Sequence, residues 1–320
     1  MVLANCIVSA SIAPAQLFSV TVKTASMSET SQPIETVLVP TDGSDGALAG
    51  AKRGVDLAVA AEADVHVLSV IDTAEIDDEE RAAIEAEAET AVEAVTSMIT
   101  ARDIDPEVTT AIEHGKPFRA INTYVDDAGV DMIAMGTNGR TGLERVVLGS
   151  VTENVLRTVD IPVLTVPADA HDVALAPEAA ENVLLPTDGS EGAAIAVDWG
   201  VALADTFDAM VHAIYSADTS RLTGSTEPDE ILSALEDDGQ DALETVRERA
   251  RETGVSLTGT VASGPPARVI LDYTTETDIA FIVIGTHGRS GIERHLIGSV
   301  TETVVRNADI PVVCVPISAD

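Results

Sequence analysis

Short apolar runs alternate with longer amphipathic stretches along this chain, and their order sets the expected architecture. Glu35-Thr-Val-Leu-Val-Pro40 is rich in β-formers and is stopped by Pro-Thr-Asp-Gly turn chemistry, which predicts a first strand. Over residues 44–61, Ala47, Leu48, Ala51, Val55, Leu57, Ala58 and Val59 recur at helical spacing. Residues 64–71 are apolar nearly throughout, as buried parallel strands are. An acidic helix is expected over 72–101. An alternating strand over 107–113, nearer an edge, and a helix over 117–128 follow. Residues 132–135 read as a fourth strand, followed by a glycine-rich loop and a helix over about 150–158. Pro162-Val-Leu-Thr-Val-Pro167 is the fifth strand, and proline at both ends suits an edge.

The whole pattern then recurs. Gly136-Thr-Asn-Gly139-Arg140-Thr-Gly142 runs on to Gly149-Ser150-Val151-Thr152-Glu153. Gly285-Thr-His-Gly288-Arg289-Ser-Gly291 runs on to Gly298-Ser299-Val300-Thr301-Glu302 with identical spacing. Pro40-Thr-Asp42-Gly-Ser44 returns as Pro186-Thr-Asp188-Gly-Ser190. A repeat of this length is a duplicated domain, not a solenoid unit. The second copy's strands are expected within 183–185, 210–215, 257–262, 281–284 and 312–315, with a longer, looser loop over 218–228. Alternating strands and helices imply right-handed crossovers and a parallel sheet. The expected fold class is α/β: two doubly wound, Rossmann-like domains of five parallel strands, order 3-2-1-4-5. They cover residues 34–168 and 182–317, joined by a linker over 169–181. Residues 1–33 contain only one acid, Glu29, and match neither copy. They are read as a disordered or mis-assigned leader with the natural start at Met27; a weak export signal is the alternative, although no positive segment precedes the apolar stretch.

Charge narrows the partners. Net charge is −36, from 54 acids against 18 bases, and the only lysines are Lys23, Lys52 and Lys116. Such a surface repels nucleic acid and anionic membranes. It suits high salt, where screening shortens repulsion to about 3 Å at 1 M. No run of 18 apolar residues exists, so no transmembrane helix is expected. Cys6 and Cys314 make no disulfide framework, which points to a reducing cytoplasm.

The chemistry concentrates where strands 1 and 4 end. In the expected order these strands are neighbours whose connections leave toward opposite faces, and ligands bind beyond such a switch point. Gly136, Gly139, Gly142 and Gly149, with Gly285, Gly288, Gly291 and Gly298, let backbone approach a ligand closely. Ser150-Val-Thr-Glu153 reads as a capping box, which would place a helix N-terminus, an anion site, at the end of the loop. Arg140, Arg145, Arg289 and Arg294 are among the few bases, and all lie inside the loops. The loop is no Walker A motif, since it lacks Lys, and no dinucleotide fingerprint, since it follows strand 4. Asp42 and Asp188 could serve a phosphate-bound Mg²⁺ or simply form Asx turns. The six histidines show no metal spacing. His287, where the first copy has Asn138, reads as a solvated loop residue.

These motifs resemble the ATP-binding branch of the universal stress protein family in its tandem two-domain form. The resemblance covers about residues 34–167 and 181–316. It implies a HUP-type fold with ATP in the crevice. On that resemblance Pro40 and Asp42 lie beside base and ribose, Val70 lies near adenine, Gly136 to Gly142 wrap ribose and phosphates, and Ser150, Val151 and Thr152 hold the phosphate chain. The second copy offers Pro186, Asp188, Gly285, Gly288, Gly291, Ser299, Val300 and Thr301, but has Ser216 where the first has Val70. The implied function is a stress-response module with little turnover and no catalytic residue. A slow ATPase, a nucleotidyl or phosphoryl transferase, and a scaffold with vestigial sites are the alternatives. The family's dimerisation through its last strand implies an intramolecular pseudo-dimer of the two copies, with a further homodimer allowed.

Overall fold

The computed structural model describes residues 34–72, 78–101, 106–139, 148–168, 170, 175, 179–218, 228–288 and 296–317. Residues 1–33, the centres of both glycine loops, most of 169–178 and residues 219–227 lie outside them. In the first half β1 (Thr36–Pro40), α1 (Asp45–Ala60), β2 (Asp64–Ile71), α2 (Asp78–Thr100), β3 (Val108–His114), α3 (Pro117–Ala128), β4 (Met132–Gly136), α4 (Ser150–Thr158) and β5 (Val163–Val166) follow one another. The second half repeats the order with β6 (Asn182–Thr187), α5 (Glu191–Thr206), β7 (Met210–Ala217), α6 (Pro228–Thr253), β8 (Leu257–Ser263), α7 (Pro266–Glu276), β9 (Phe281–Gly285), α8 (Ser299–Asn307) and β10 (Val312–Val315).

The chain is α/β and doubly wound, and each half has the strand order 3-2-1-4-5. The two five-stranded sheets are continuous, however. The order across the molecule is β3-β2-β1-β4-β5-β10-β9-β6-β7-β8. Pairing is parallel within each half and antiparallel only at the seam, where Thr165 faces Val312, Leu164 faces Val313 and Val163 faces Cys314. The proline-bounded fifth strand is thus the edge of its own half and an inner strand of the whole sheet. Proline removes a ladder donor on either side of a strand only four residues long, so the seam is short.

Successive strand residues face opposite sides, and both sides are buried. Val37, Val39, Val65 and Val67 join α1, α2, α5 and α6 in one core; Leu38, Leu68, Ile133 and Val163 join α3, α4, α7 and α8 in the other. Each core contains residues of both halves. No helix among the described residues is long and apolar enough to cross a membrane.

Two features of the sheet shape the crevice. First, β1 pairs with β4 only at Val37–Met132 and Leu38–Ile133, whereas β1 stays with β2 as far as Pro40 and β4 stays with β5 as far as Gly136. The two central strands part before they end. The second half does the same, β6 meeting β9 only at Val183–Phe281 and Leu184–Ile282. Second, α1 lies directly on β4. Gly46, Gly50 and Gly54 share one helix face, and a Cβ on them would collide with the Asn138 carbonyl, the Gly136 amide and the Ala134 side chain respectively.

Candidate functional site

Each half closes its first strand with the same turn. Gly43 and Gly189 adopt φ of 76° and 75°, a conformation that glycine takes without strain. The Ser44 amide donates to Asp42 Oδ1 at 3.0 Å and its hydroxyl to the same oxygen at 2.6 Å. The Ser44 Oγ then accepts from the Ala47 amide at 3.2 Å and caps α1. Asp188, Ser190 and Ala193 repeat the amide contacts at 3.0 and 3.2 Å. The Asx-turn reading of both aspartates is therefore met through Oδ1.

The fourth strands end in a loop pinned at its neck. The Gly149 amide donates to the Thr137 carbonyl at 2.7 Å, and the buried Thr152 hydroxyl donates to the Gly136 carbonyl at 2.8 Å. Gly298 to Thr286, at 2.8 Å, and Thr301 to Gly285, at 2.7 Å, are the equivalents. The Thr152 and Thr301 hydroxyls are thus engaged by the protein itself. Any further hydrogen bond donated by these residues falls to their backbone N–H groups.

The helix start differs from the expected capping box. The N-cap is Gly149, not Ser150, with φ −59° and ψ 140° and no side-chain cap; Gly298 stands in the same place before Ser299. Shifted by one, Glu153 is too far along to reach back. It instead accepts from Arg157 at 2.7 Å, and Glu302 from Arg306 at 2.8 Å. The consequence favours an anion more than the box would have: glycine offers the first-turn N–H groups no side-chain acceptor.

The two motifs converge. A Cβ built on Gly139 would lie 3.2 Å from Asp42 Oδ2, and one on Gly288 2.8 Å from Asp188 Oδ2. Turn and loop therefore meet across the gap between the parted strands. In the second half they border a cavity of about 300 Å³. Of the residues expected there, Pro186, Asp188, Gly285, Gly288, Gly298, Ser299, Val300 and Thr301 line it. In the first half Pro40 ends β1 opposite Leu68, and Val70 lies in β2 opposite Glu113, half-buried against the α3 side. Gly136, Gly139, Gly149, Ser150, Val151 and Thr152 occupy the positions that correspond to the lining. Arg140, Gly142, Arg145, Arg289, Gly291 and Arg294 lie outside the described residues.

Sequence reading missed part of the lining. Pro266, Val269 and Ile270 of α7 border the cavity, with Tyr215, Leu235 and His287. A signal for α7 existed: in both halves a glycine at positive φ (Gly115 at 133°, Gly264 at 144°) follows the third strand and precedes a proline-led helix. Ser216 also lines the cavity, but its hydroxyl donates to the Gly264 carbonyl at 2.7 Å and so ties β7 to that turn. The charged residues of the described lining are Asp188 and Asp218, and it contains no Lys or Arg. No group of three or more His, Cys, Asp or Glu suited to a metal ion occurs among the described residues.

A second repeated pair lies away from the cavity, toward the N-terminal end of the second strands. His66 Nδ1 meets the Tyr124 hydroxyl at 3.1 Å and His212 Nδ1 meets that of Tyr273 at 2.9 Å, with edge-on rings in both halves. His212 is buried, and burial lowers its pKa.

A sequence model of the universal stress protein family matches residues 33–167 and again 180–316. Universal stress protein MJ0531 of Methanocaldococcus jannaschii is 38% identical over 138 residues, which are 42% of this chain and 81% of that one. YxiE of Bacillus subtilis is 33% identical over 144 residues, 42% of this chain and 97% of the relative. A crystal structure of a universal stress protein from Archaeoglobus fulgidus superposes with a TM-score of 0.68 at 24% identity, over 88% of this chain and 98% of that one; at that identity the likeness is one of fold.

Proposed function

The chain belongs to the universal stress protein family, with two copies of the family's domain in tandem, and on that premise we propose that each half binds one adenine nucleotide, ATP, as a stress-response module with little turnover. The observation that carries the reading is the cradle repeated in both halves. A glycine loop passes so close to an aspartate that a single added Cβ would meet its carboxylate, and the loop ends on a helix N-terminus with no side-chain cap. Backbone of this kind suits phosphate. The parted strands give the base a place beside Pro40 and Asp42, or Pro186 and Asp188. A divalent cation such as Mg²⁺ would enter with the phosphates. Residues 34–168 and 182–317 are the binding units in this reading, linked by 169–181 and held as an intramolecular pair through β5 and β10.

Low turnover follows from the chemistry at hand. No lysine lies in either loop to clamp transferring phosphate, and Asp42 and Asp188 already accept from the turn. The test is mass spectrometry of nucleotide released from purified protein, with its stoichiometry. Two adenine nucleotides per chain are expected. Gly139→Val with Gly288→Val should abolish binding by calorimetry, because the new side chain occupies the phosphate approach. Unchanged affinity in the correctly folded double variant would overturn the reading.

A further inference from the structure

Two positions at the cavity wall exchange size between the halves. Near the end of the second strand, Val70 of β2 corresponds to Ser216 of β7. Near the start of the third helix, Ala120 of α3 corresponds to Val269 of α7. The His–Tyr pairs fix this correspondence, since His66 and Tyr124 stand in one half where His212 and Tyr273 stand in the other. One half thus sets the larger side chain on the strand, the other on the helix. In the second half the two positions are neighbours across the turn at Gly264. The Ser216 hydroxyl donates to the Gly264 carbonyl at 2.7 Å, and Val269 Cγ2 stands 3.2 Å from the place a Cβ on Gly264 would take. The same place at Gly115, where the helix offers only Ala120, has nothing within 4 Å. Val70 in the first half and Val269 in the second are the members of each pair that pack against the core on this side of the sheet. Ser216 and Val269 are both half-buried and both line the cavity, together with the apolar Ile214, Pro266 and Ile270. This apolar wall lies away from the anion-favouring helix start. In the sheet order β9-β6-β7-β8, α8 begins beyond β9, whereas α7 packs on β7, on the other side of β6. A ligand with its anionic end at α8 therefore meets the α7 wall with its opposite end, after passing Pro186 and Asp188.

We propose that Ser216 and Val269 are a compensating, specificity-determining pair of the second site: Val269 on the helix supplies the apolar wall for the purine base, and the small Ser216 leaves the room that Val269 fills. In the first site Val70 and Ala120 build the wall from the strand instead. The proposal rests on the nucleotide reading above. A planar base gains from aliphatic carbon that reaches it without crowding it, so it loses both when the wall recedes and when the wall is overfilled. The exchange at one position is tolerable only with the exchange at the other.

The experiment uses the full chain with Gly139→Val, which closes the first site, and compares ATP with CTP by calorimetry in high salt. A purine covers more of the wall than a pyrimidine does, so the ratio of the two affinities reads the wall, whereas a loosened fold weakens both alike. Val269→Ala withdraws the wall and Ser216→Val overfills it. Each change alone is expected to weaken ATP binding roughly tenfold and to lower the preference for ATP over CTP. Ser216→Val with Val269→Ala, which rebuilds the first half's arrangement, should recover affinity and preference to within about twofold of the parent, a non-additivity that only neighbouring residues show. In a Gly288→Val chain, Val70→Ser alone should weaken ATP binding and the addition of Ala120→Val should restore it. Unchanged ATP affinity in the single variants, a double variant that shows only the sum of their losses, or an ATP-to-CTP ratio equal in all four chains would overturn the proposal while leaving the nucleotide reading intact. If the unaltered chain and both single-site chains fail to bind ATP, the nucleotide reading falls and this one with it.

Discussion

Single residues carry the contrast between what binds and what merely holds. Asp42 serves a turn through Oδ1 and borders a glycine through Oδ2, so one side chain joins the two motifs across the crevice. Thr152 and Thr301 look like ligand contacts in the sequence, yet their hydroxyls fasten helix to strand. The same scale holds a pH response unrelated to the cavity. His212 is buried against Tyr273, with Nε2 near Asn182 at 3.1 Å, and burial sets its pKa below the ordinary value of 6.5. A base whose folded pKa is depressed contributes fully above its unfolded value, and that contribution is lost as pH falls from about 6.5 through the folded pKa. The melting temperature should therefore drop on acidification below about pH 6.5. His212→Gln, which cannot titrate, should show a shallower drop in the same scan; an unchanged slope would exclude His212 as a source. At the seam Cys314 is fully buried, its thiol pushed up to about 12 by burial, and its counterpart in β5 is Thr165, whose hydroxyl donates across the seam to the Val312 carbonyl at 3.0 Å. The residue composition of the seam thus differs between the halves although their backbone pairing is symmetric.

Elements were legible where periodicity and punctuation agreed. The helix over 117–128 ends where Gly129 takes φ 66°, and β5 stands at the four residues between its prolines. The capping box was misread because a serine followed three residues later by a glutamate has the same letters whether serine is the cap or the first helical residue. Only the turn of the chain at Gly149 distinguishes them. The apolar stripe over 44–61 says nothing of the glycines of α1, whose purpose appears only against β4. Gly50→Ala tests it. In a free helix the change would stabilise by about 1 kcal/mol. Here the new Cβ meets the Gly136 amide and the Met135 backbone, which cannot swing aside like a side chain. Destabilisation of about 2 kcal/mol is expected from denaturant unfolding, as for an overpacked core. Weaker nucleotide binding should accompany it, because Gly136 opens the loop.

At the scale of the molecule the seam and the surface charge oppose one another. Both cores run across β5 and β10, and the four seam residues of each strand are uncharged and buried, while the chain as a whole carries −36. Among the described residues an ion pair crosses between the halves, Arg306 to Glu153 at 3.8 Å, and a part-exposed pair of that length contributes little. Repulsion is relieved by salt, burial is not. Thermal stability should therefore rise with added salt. Residues 27–170 expressed alone should expose the β5 edge and dimerise at micromolar concentration in high salt. A stable monomer by sedimentation would show that β5 does not hold the halves together.

The sequence by itself determined the local and the repeated. Strand and helix order, the duplication and the placing of glycine and aspartate motifs after the first and fourth strands all follow from periodicity, turn chemistry and identical spacing, which are properties of neighbouring residues. Tertiary structure decided what depends on residues distant in the chain. Glycine at Gly46, Gly50 and Gly54 becomes a docking face only because β4 lies beneath it. The crevice opens because the first and fourth strands part after two pairs in each half. The Pro-bounded strands become interior because each finds the other antiparallel. Burial and close approach are set by what the fold brings near, and no pattern along the chain encodes them alone.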